Sequence, residues 1–264
     1  MFYWVAQARR SEVGVTTGRS EVASRRVIVK IDWIHTPVYN TLMSLAAGVG
    51  LLLIVTLGRT LFSRRRFSSD GYSLAFGVLG VILFLMGLHM SLTWPLVRIA
   101  PYDNIVFGEP SVAFGALLGA ASLYLWKRGA VLGATLSSSQ TQRGEQRGEE
   151  IARLVLPISL FVASLGLACF AIAAAGWKYT LWAAPPQEPI FGNFANHPLV
   201  EATFISGLYV CVGVGAALLP VLLLTKKRPI AVAIGLFWTL AGSGFIVLGA
   251  LNYFTHIGLI IHTN

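Results

Sequence analysis

The sequence predicts an all-α protein, a transmembrane bundle of about six helices, from its composition, its hydropathy pattern and its charge pattern. Of its 264 residues, 55% are hydrophobic and only 12% are charged, whereas soluble domains carry about 25% charged residues. The apolar residues form runs long enough to cross a hydrocarbon core about 30 Å thick, which takes about 20 helical residues. Basic residues cluster at the ends of these runs. We therefore expect a lipid bilayer as the environment of the chain.

Six apolar runs define the expected spans. In chain order they cover residues 38–62, 72–93, 111–126, 151–176, 199–225 and 230–253. The third is the shortest, and we expect it to begin near Pro110, because proline suits the first helical turn, where its missing N–H has no intrahelical partner. Small residues four positions apart, such as Gly115 with Gly119 and Ser44 with Gly48, are typical of closely packed membrane helices.

The first 36 residues differ from the rest of the chain. They contain six basic residues but no long apolar segment, which argues against a cleaved secretory signal. We expect residues 1–36 to be disordered and residues 37–264 to form a single transmembrane domain.

The basic clusters also predict the orientation of the bundle. Residues 64–66, 127–128 and 226–228 follow the first, third and fifth spans, and basic loops are retained on the cytoplasmic side of a membrane. These ends should therefore be cytoplasmic and both termini outside, although the basic N-terminal tail would then have to be translocated. Because clusters beside spans face anionic headgroups, the net charge of +9 does not indicate nucleic-acid binding.

The odd-numbered spans begin alike. Residues 35–40, 108–112 and 196–200 each place a histidine or glutamate one or two positions before a proline. Spans two and three also align with spans four and five at an offset of 88 positions, which superposes Trp94 on Trp182 and Gly119 on Gly207. We take these matches as the hypothesis of three related helical hairpins.

In this topology all five histidines and Glu109 gather at the outer end. His89 lies inside an apolar stretch, where an ionisable group is a candidate functional residue. Glu109 is expected at a helix start, where the positive end of the helix dipole favours a carboxylate. Imidazole and carboxylate bind zinc, copper and iron, and two histidines can ligate a haem. We therefore predict a transition-metal or haem site on His89, Glu109 and His197, with His35 and His256 as further candidates.

Other interpretations stay open. Histidines are also common at the membrane interface, and the sequence contains no His-x-x-His or His-Glu-x-x-His spacing. A small-solute or ion transporter would use Glu201, three residues into the fifth span. A structural subunit of a membrane complex, or a homo-oligomer, would need no site. Neither a phosphate-binding glycine-rich loop nor a nucleophile elbow is present, so the sequence identifies no enzymatic activity.

Two segments resemble a known family. Residues 89–96 read HMSLTWPL and residues 102–111 read YDNIVFGEPS, and both are similar to the domain of unknown function 981, a family of small prokaryotic integral membrane proteins. The resemblance covers mainly residues 38–255. It implies a multi-pass protein of a prokaryotic cell membrane without an assigned activity, and it adds no cofactor and no site residue.

Overall fold

The computed structural model describes residues 39–62, 68–97, 100–136 and 141–263, and these residues form helices and turns without a strand. The α-helices of this part of the chain are α1 (Asn40–Phe62), α2 (Ser69–Thr93), α3 (Pro101–Asp103), α4 (Glu109–Leu136), α5 (Thr141–Tyr179), α6 (Leu199–Thr225) and α7 (Arg228–Thr263). A π-helical turn at Asn104–Gly108 joins α3 to α4, and a short 3-10 helix at Phe191–Phe194 lies between α5 and α6. The N-terminal tail and His35 lie outside the described residues, so the prediction for residues 1–36 stays a prediction.

Six helical segments are long and apolar enough to cross a membrane, which confirms the predicted all-α fold with six spans. The third span combines α3, the π-helical turn and most of α4, from Pro101 to Arg128. Large apolar side chains cover the outward faces, and Leu74, Leu167 and Ile261 are 72%, 66% and 69% exposed. Apolar surface of this extent is rare on soluble monomers. The fold therefore suggests a multi-pass membrane protein in a lipid bilayer.

The third span begins at Pro101 and not near Pro110, so this part of the sequence prediction is wrong. Pro101 takes the first turn, and Asn104 closes that turn, because its Nδ2 donates to the Pro101 carbonyl and its Oδ1 accepts the Leu96 N–H. Pro110 lies inside the continuous helical segment instead. A proline there offers no N–H to the carbonyl four residues earlier and its ring crowds that carbonyl. The wider π-helical turn stands directly before Pro110, where it relieves this crowding.

Other helices also extend beyond their apolar runs. The last helix, α7, continues to Thr263 rather than ending at Tyr253, so His256 and His262 lie within it. Helices α4 and α5 likewise continue past the third span and before the fourth. An apolar run marks only the part of a helix inside the hydrocarbon, whereas glutamate, glutamine and arginine support helix outside it.

The helices pack as three tight pairs, α2 with α4, α5 with α6, and α1 with α7. Each pair approaches closely at facing glycines, because a Cβ on either glycine would meet the backbone of the partner helix. These glycine pairs are Gly80 with Gly115, Gly166 with Gly213, and Gly48 with Gly242. Close approach at small residues is the usual way in which membrane helices associate. The predicted contact roles of Gly115 and Gly48 are therefore confirmed. The backbone N of Gly119 also lies 2.9 Å from a Cβ placed on Gly80, although a Cβ on Gly119 itself would meet nothing within 4 Å.

The three pairs form two halves around α1. One buried cluster joins α1 to α2 and α4, and the other joins α1 to α5, α6 and α7. Val106, in the π-helical turn before α4, packs in the second cluster and so docks the α2–α4 half onto the other half. Two pairs are hairpins of consecutive spans, but the third combines the first span with the last. Duplication of one hairpin stays a prediction.

The two ends of the bundle differ in character. We call the end that contains residues 94–97 and 180–198 the aromatic end, and the opposite end the basic end. At the basic end Lys226 Nζ lies 3.0 Å from Glu149 Oε1, and residues 127–128 and 226–228 are exposed there. The predicted gathering of acidic and histidine side chains therefore has to be sought at the aromatic end.

Candidate functional site

His89 lies near the end of α2 and is exposed. Its Nδ1 is 2.6 Å from the hydroxyl of Tyr39, which precedes α1, and 3.4 Å from the hydroxyl of Thr93. Burial raises the pKa of Tyr39 above its usual value. The pair joins the beginning of α1 to the end of α2 at the aromatic end.

Glu109 and His197, the other two predicted ligands, are exposed side chains. His197 stands in the turn before α6, and its N–H donates to the Phe194 carbonyl. Glu109 is the first residue of α4, but its N–H donates to the Ile105 carbonyl of the π-helical turn. Glu109 does stand in the first turn of α4, but the helical segment as a whole begins at Pro101, and the expected stabilisation of Glu109 by the helix start stays a prediction.

No three histidine, cysteine, aspartate or glutamate side chains of the described residues come together in a group that could hold a metal ion. Zinc and iron sites require several such ligands to converge on one point at about 2.0–2.3 Å. His35 lies outside the described residues. The metal or haem site on His89, Glu109 and His197 stays a prediction.

The structure places three acidic side chains at the aromatic end, and two of them, Glu188 and Glu201, lie within electrostatic range of each other. We call Asp103, Glu188 and Glu201 the acidic cluster. Glu188 lies within electrostatic range of Glu201 and of the His256 ring. Asp103 and Glu201 both act on the hydroxyl of Tyr102. Its members come from α3, the 180–198 segment and α6, which are far apart in the sequence, and His256 of α7 lies within electrostatic range of Glu188.

Glu188 is the most enclosed member of the cluster, with 8% of the residue exposed. Its Oε2 accepts the N–H groups of Ile190 and Gly192, both at 2.9 Å. Its Oε1 is buried without a hydrogen-bond partner in the described part of the chain. Glu188 Oε2 therefore holds the backbone of the loop, whereas Oε1 is free to accept a hydrogen bond from a ligand.

Glu201 and its neighbours hold the 180–198 segment against the helices. Glu201 Oε2 accepts the Ala184 N–H at 2.9 Å from the first turn of α6. The Tyr102 hydroxyl of α3 donates to the Leu181 carbonyl at 3.0 Å. The predicted candidate Glu201 is therefore a half-buried residue that anchors a loop as well as a member of the acidic cluster.

Tyr209 connects the cluster to the π-helical turn. Its hydroxyl donates to the Val106 carbonyl at 2.8 Å, which is the carbonyl that Pro110 cannot serve because proline has no N–H. Its ring stacks on Trp182 with centroids 6.0 Å apart and meets Phe245 edge-on. Asp103 lies within electrostatic range of the Tyr209 hydroxyl. The rings of Trp182, Tyr209 and Phe245 therefore pack together near Asp103.

The acidic cluster has no basic partner among the residues that the structure describes, where the ion pair is Lys226 with Glu149 at the basic end. Arg98, five positions before Asp103, lies outside those residues. A buried carboxylate without a partner is costly, and such groups are paired, protonated or bound to a cation. The arrangement can therefore hold a proton or a positively charged ligand.

Sequence reasoning identified Glu201 but missed Asp103 and Glu188. Asp103 falls outside an apolar run that begins near Pro110, and only the longer third span brings it into the bundle. Glu188 stands among the prolines of the 180–198 segment, and the local sequence does not indicate that this segment folds onto the helices. A signal that could have found it is the density of prolines, since stiff connections of this length are often functional.

Comparison with known proteins identifies the chain at the level of the family. Residues 37–258 match the family described as protein of unknown function, DUF981. The chain therefore belongs to this family, which confirms the resemblance that residues 89–96 and 102–111 indicated. Neither the curated proteins nor the solved structures contain a match to this chain.

Proposed function

We propose that this member of the family binds a small positively charged ligand at the acidic cluster. The observation that carries the proposal is Glu188, a buried carboxyl side chain within electrostatic range of Glu201, whose Oε1 has no hydrogen-bond partner in the described part of the chain. Ionisable residues within membrane spans are rare and mark functional sites.

One feature of Glu188 favours ligand binding over a purely structural role. Glu188 is buried, yet one of its oxygens has no hydrogen-bond partner among the described residues. An unsatisfied buried acceptor costs about 1–3 kcal/mol, and more when it is charged. A loop anchor alone would need only the oxygen that accepts Ile190 and Gly192. The second oxygen is explained by a ligand that donates hydrogen bonds.

Transport of the ligand is not favoured. Beyond Glu201 the fifth span contains no charged residue from position 202 to position 225, and carriers place ionisable groups near the middle of the membrane. Glu201 sits in the first turn of α6, close to the aromatic end. The proposal is therefore binding at one face of the membrane, and no observation supports a path across it.

We also propose that the aromatic end faces outside and the basic end faces the cytoplasm of a prokaryotic cell. The exposed basic residues at 127–128 and 226–228 support this orientation. In a background with Cys169 and Cys211 replaced by alanine, Phe194→Cys should react with a membrane-impermeant maleimide in intact cells, and Lys227→Cys should not. The opposite labelling pattern would reverse the orientation.

Thermal unfolding of the purified protein tests ligand binding. Cys169 is buried and unpaired, so a thiol-reactive dye reports unfolding. Simple cations and organic amines are added one at a time at constant ionic strength. A ligand at 100 times its Kd stabilises the folded state by about 2.7 kcal/mol, which raises the melting temperature measurably.

Isosteric variants locate the effect. Glu188→Gln keeps a carbonyl oxygen for the loop N–H groups but removes the charge, so the ligand-induced rise in melting temperature should disappear. Glu149→Gln removes the same charge at the basic end and should keep the rise. The proposal is overturned if no cation stabilises the wild type, or if the rise appears only in Arg98→Gln, which would make Arg98 the resident partner of the cluster.

The metal or haem hypothesis has a separate test. Elemental analysis for iron, copper and zinc in protein purified without chelators should give near-stoichiometric metal that His89→Ala loses, if His89 is a ligand. Wild-type protein without metal would leave His89 as an interface residue bonded to Tyr39.

A further inference from the structure

We propose that the basic end binds the headgroup of an anionic phospholipid at a patch of four exposed side chains, Arg153, Lys226, Lys227 and Arg228. We call these residues the basic patch. Arg153 belongs to α5, and the other three form the turn between α6 and α7. The patch lies at the opposite end of the bundle from the acidic cluster, so the proposal does not depend on the ligand of that cluster.

An ion pair brings the two parts of the basic patch together. Lys226 Nζ lies 3.0 Å from Glu149 Oε1, and Arg153 stands four positions after Glu149 on α5, where side chains of one helix are neighbours. The hydrogen bond and charge of Lys226, followed by the charge of Arg153, lower the pKa of Glu149. The Glu149 carboxylate therefore links Arg153 to the 226–228 turn.

The backbone of Lys226 indicates that a side chain is needed at this position. Helix α6 ends at Thr225, and Lys226 follows in the left-handed conformation with φ 53°, where its N–H donates to the Leu222 carbonyl. Glycine is the usual residue after a helix in this conformation, because a Cβ is disfavoured there. Strained residues of this kind are concentrated at functional positions.

The basic patch keeps a positive charge after its internal ion pair is counted. Four basic side chains and the carboxylate of Glu149 give a net charge of +3, and the rest of residues 143–150 adds two arginines and two glutamates, which cancel. Clusters of about four to eight basic residues next to a membrane helix are typical of binding sites for anionic lipid. The other basic pair at this end, Lys127 and Arg128, lies on α4 alone.

Exposed apolar side chains beside the basic patch favour a lipid over a soluble anion. Leu154 follows Arg153 directly, and Leu224 and Val232 stand within four positions of the 226–228 turn. These three residues are 52%, 68% and 61% exposed. A phospholipid with its phosphate at the basic patch would place its acyl chains along such side chains, whereas a soluble anion would gain nothing from them.

Native mass spectrometry of the full-length protein, stripped of lipid in detergent, tests the proposal. The protein is titrated with a short-chain phosphatidylglycerol and, separately, with the matching phosphatidylcholine, and the wild type should bind the anionic lipid more tightly. A basic residue near a membrane surface contributes about 1 kcal/mol to the binding of anionic lipid, which is about fivefold in affinity. The double variant Lys227→Gln with Arg228→Gln should therefore lose about thirtyfold in affinity for phosphatidylglycerol and keep its affinity for phosphatidylcholine.

A second double variant is the matched control. Lys127→Gln with Arg128→Gln removes the same charge at the same end and should keep the affinity for phosphatidylglycerol. The proposal is overturned if the wild type binds both lipids equally, or if the control loses as much affinity as the variant of the 226–228 turn, because the basic residues would then act only as a general basic surface.

A third variant separates charge from folding. Lys226→Gly suits the left-handed backbone, so its melting temperature in phosphatidylcholine nanodiscs should not fall far below that of the wild type, while its affinity for phosphatidylglycerol should fall about fivefold or more. Unchanged affinity would remove Lys226 from the basic patch.

Nanodiscs distinguish a lipid from a soluble anion. Phosphatidylglycerol mixed with phosphatidylcholine should raise the melting temperature above that in phosphatidylcholine alone, and high salt should reduce this rise because it screens exposed charges. Inorganic phosphate added to phosphatidylcholine nanodiscs at constant ionic strength should not reproduce the rise. An equal rise with phosphate would make the occupant a soluble anion and refute the lipid.

Discussion

Removal of one hydroxyl, by Tyr209→Phe, should destabilise the protein by about 1–2 kcal/mol, since a net buried hydrogen bond contributes about 0.5–1.5 kcal/mol and an unsatisfied group costs about 1–3 kcal/mol. The hydroxyl donates to the Val106 carbonyl at 2.8 Å, and Pro110 has no N–H to replace it. The rings of Trp182 and Phe245 keep their contacts with a phenylalanine. Side-chain hydrogen bonds in membrane proteins average only about 0.6 kcal/mol. We expect the hydrogen bond to the Val106 carbonyl to contribute more than this average, because Pro110 cannot donate in its place.

The assay is unfolding of the purified protein in detergent, followed by a dye that reacts with Cys169 as it becomes exposed. Tyr253→Phe is the matched control, because Tyr253 is also on a membrane helix but is 45% exposed, and it should leave stability unchanged. Tyr209→Leu should cost more than Tyr209→Phe, since an aromatic pair contributes about 0.5–1.5 kcal/mol beyond its burial. If Tyr209→Phe behaves like Tyr253→Phe, the hydrogen bond to the π-helical turn does not stabilise the fold, and the reasoning from Pro110 is refuted.

Two further predictions concern helix packing and pH. Gly115→Ala should destabilise the protein by about 1–3 kcal/mol, because its Cβ would overlap the Phe84 backbone N of α2. Gly119→Ala on the same helix should be neutral, because its Cβ would meet nothing within 4 Å. Equal melting temperatures of the two variants would contradict this packing. The hydrogen bond and charge of Lys226 hold the pKa of Glu149 below its usual value, so this pair stabilises at neutral pH and is lost as the pH falls through that lowered pKa. Glu149→Gln should therefore lower the melting temperature slightly at neutral pH and not below about pH 4, and high salt should abolish the difference.

The number of spans could be predicted because it depends on composition. A run of about 20 apolar residues has few alternatives to a membrane helix. The start of the third span could not, because Pro110 satisfies the rule for a first helical turn as well as Pro101 does. A tertiary contact decides between the two prolines. The hydroxyl of Tyr209, on a helix about a hundred positions later, donates to the Val106 carbonyl, to which Pro110 has no N–H to donate.

The candidate site was only partly predictable for the same reason. Glu201 could be found because a carboxylate in the first turn of an apolar run is conspicuous. Glu188 lies in a connection whose prolines indicate a rigid backbone but do not indicate that the connection folds onto the helices. The position of its carboxyl group depends on hydrogen bonds from the N–H groups of Ile190 and Gly192. The histidine hypothesis rested on the prediction that all the histidines lie at one end of the membrane. That prediction restricts the depth of each side chain in the membrane, but it does not say which helices bring the side chains together around the bundle.

The acidic cluster lies on the seam between the two halves of the bundle. Helices α4 and α5 touch only sparsely, and at the aromatic end the halves are joined by two tyrosine hydroxyls, Tyr102 on Leu181 and Tyr209 on Val106. Asp103 belongs to the α2–α4 half, whereas Glu188 and Glu201 belong to the other half. Under the proposed function, a positive ligand bound between carboxyls of the two halves would attract both halves at once. Ligand binding and the association of the two halves should then be coupled, so that each stabilises the other.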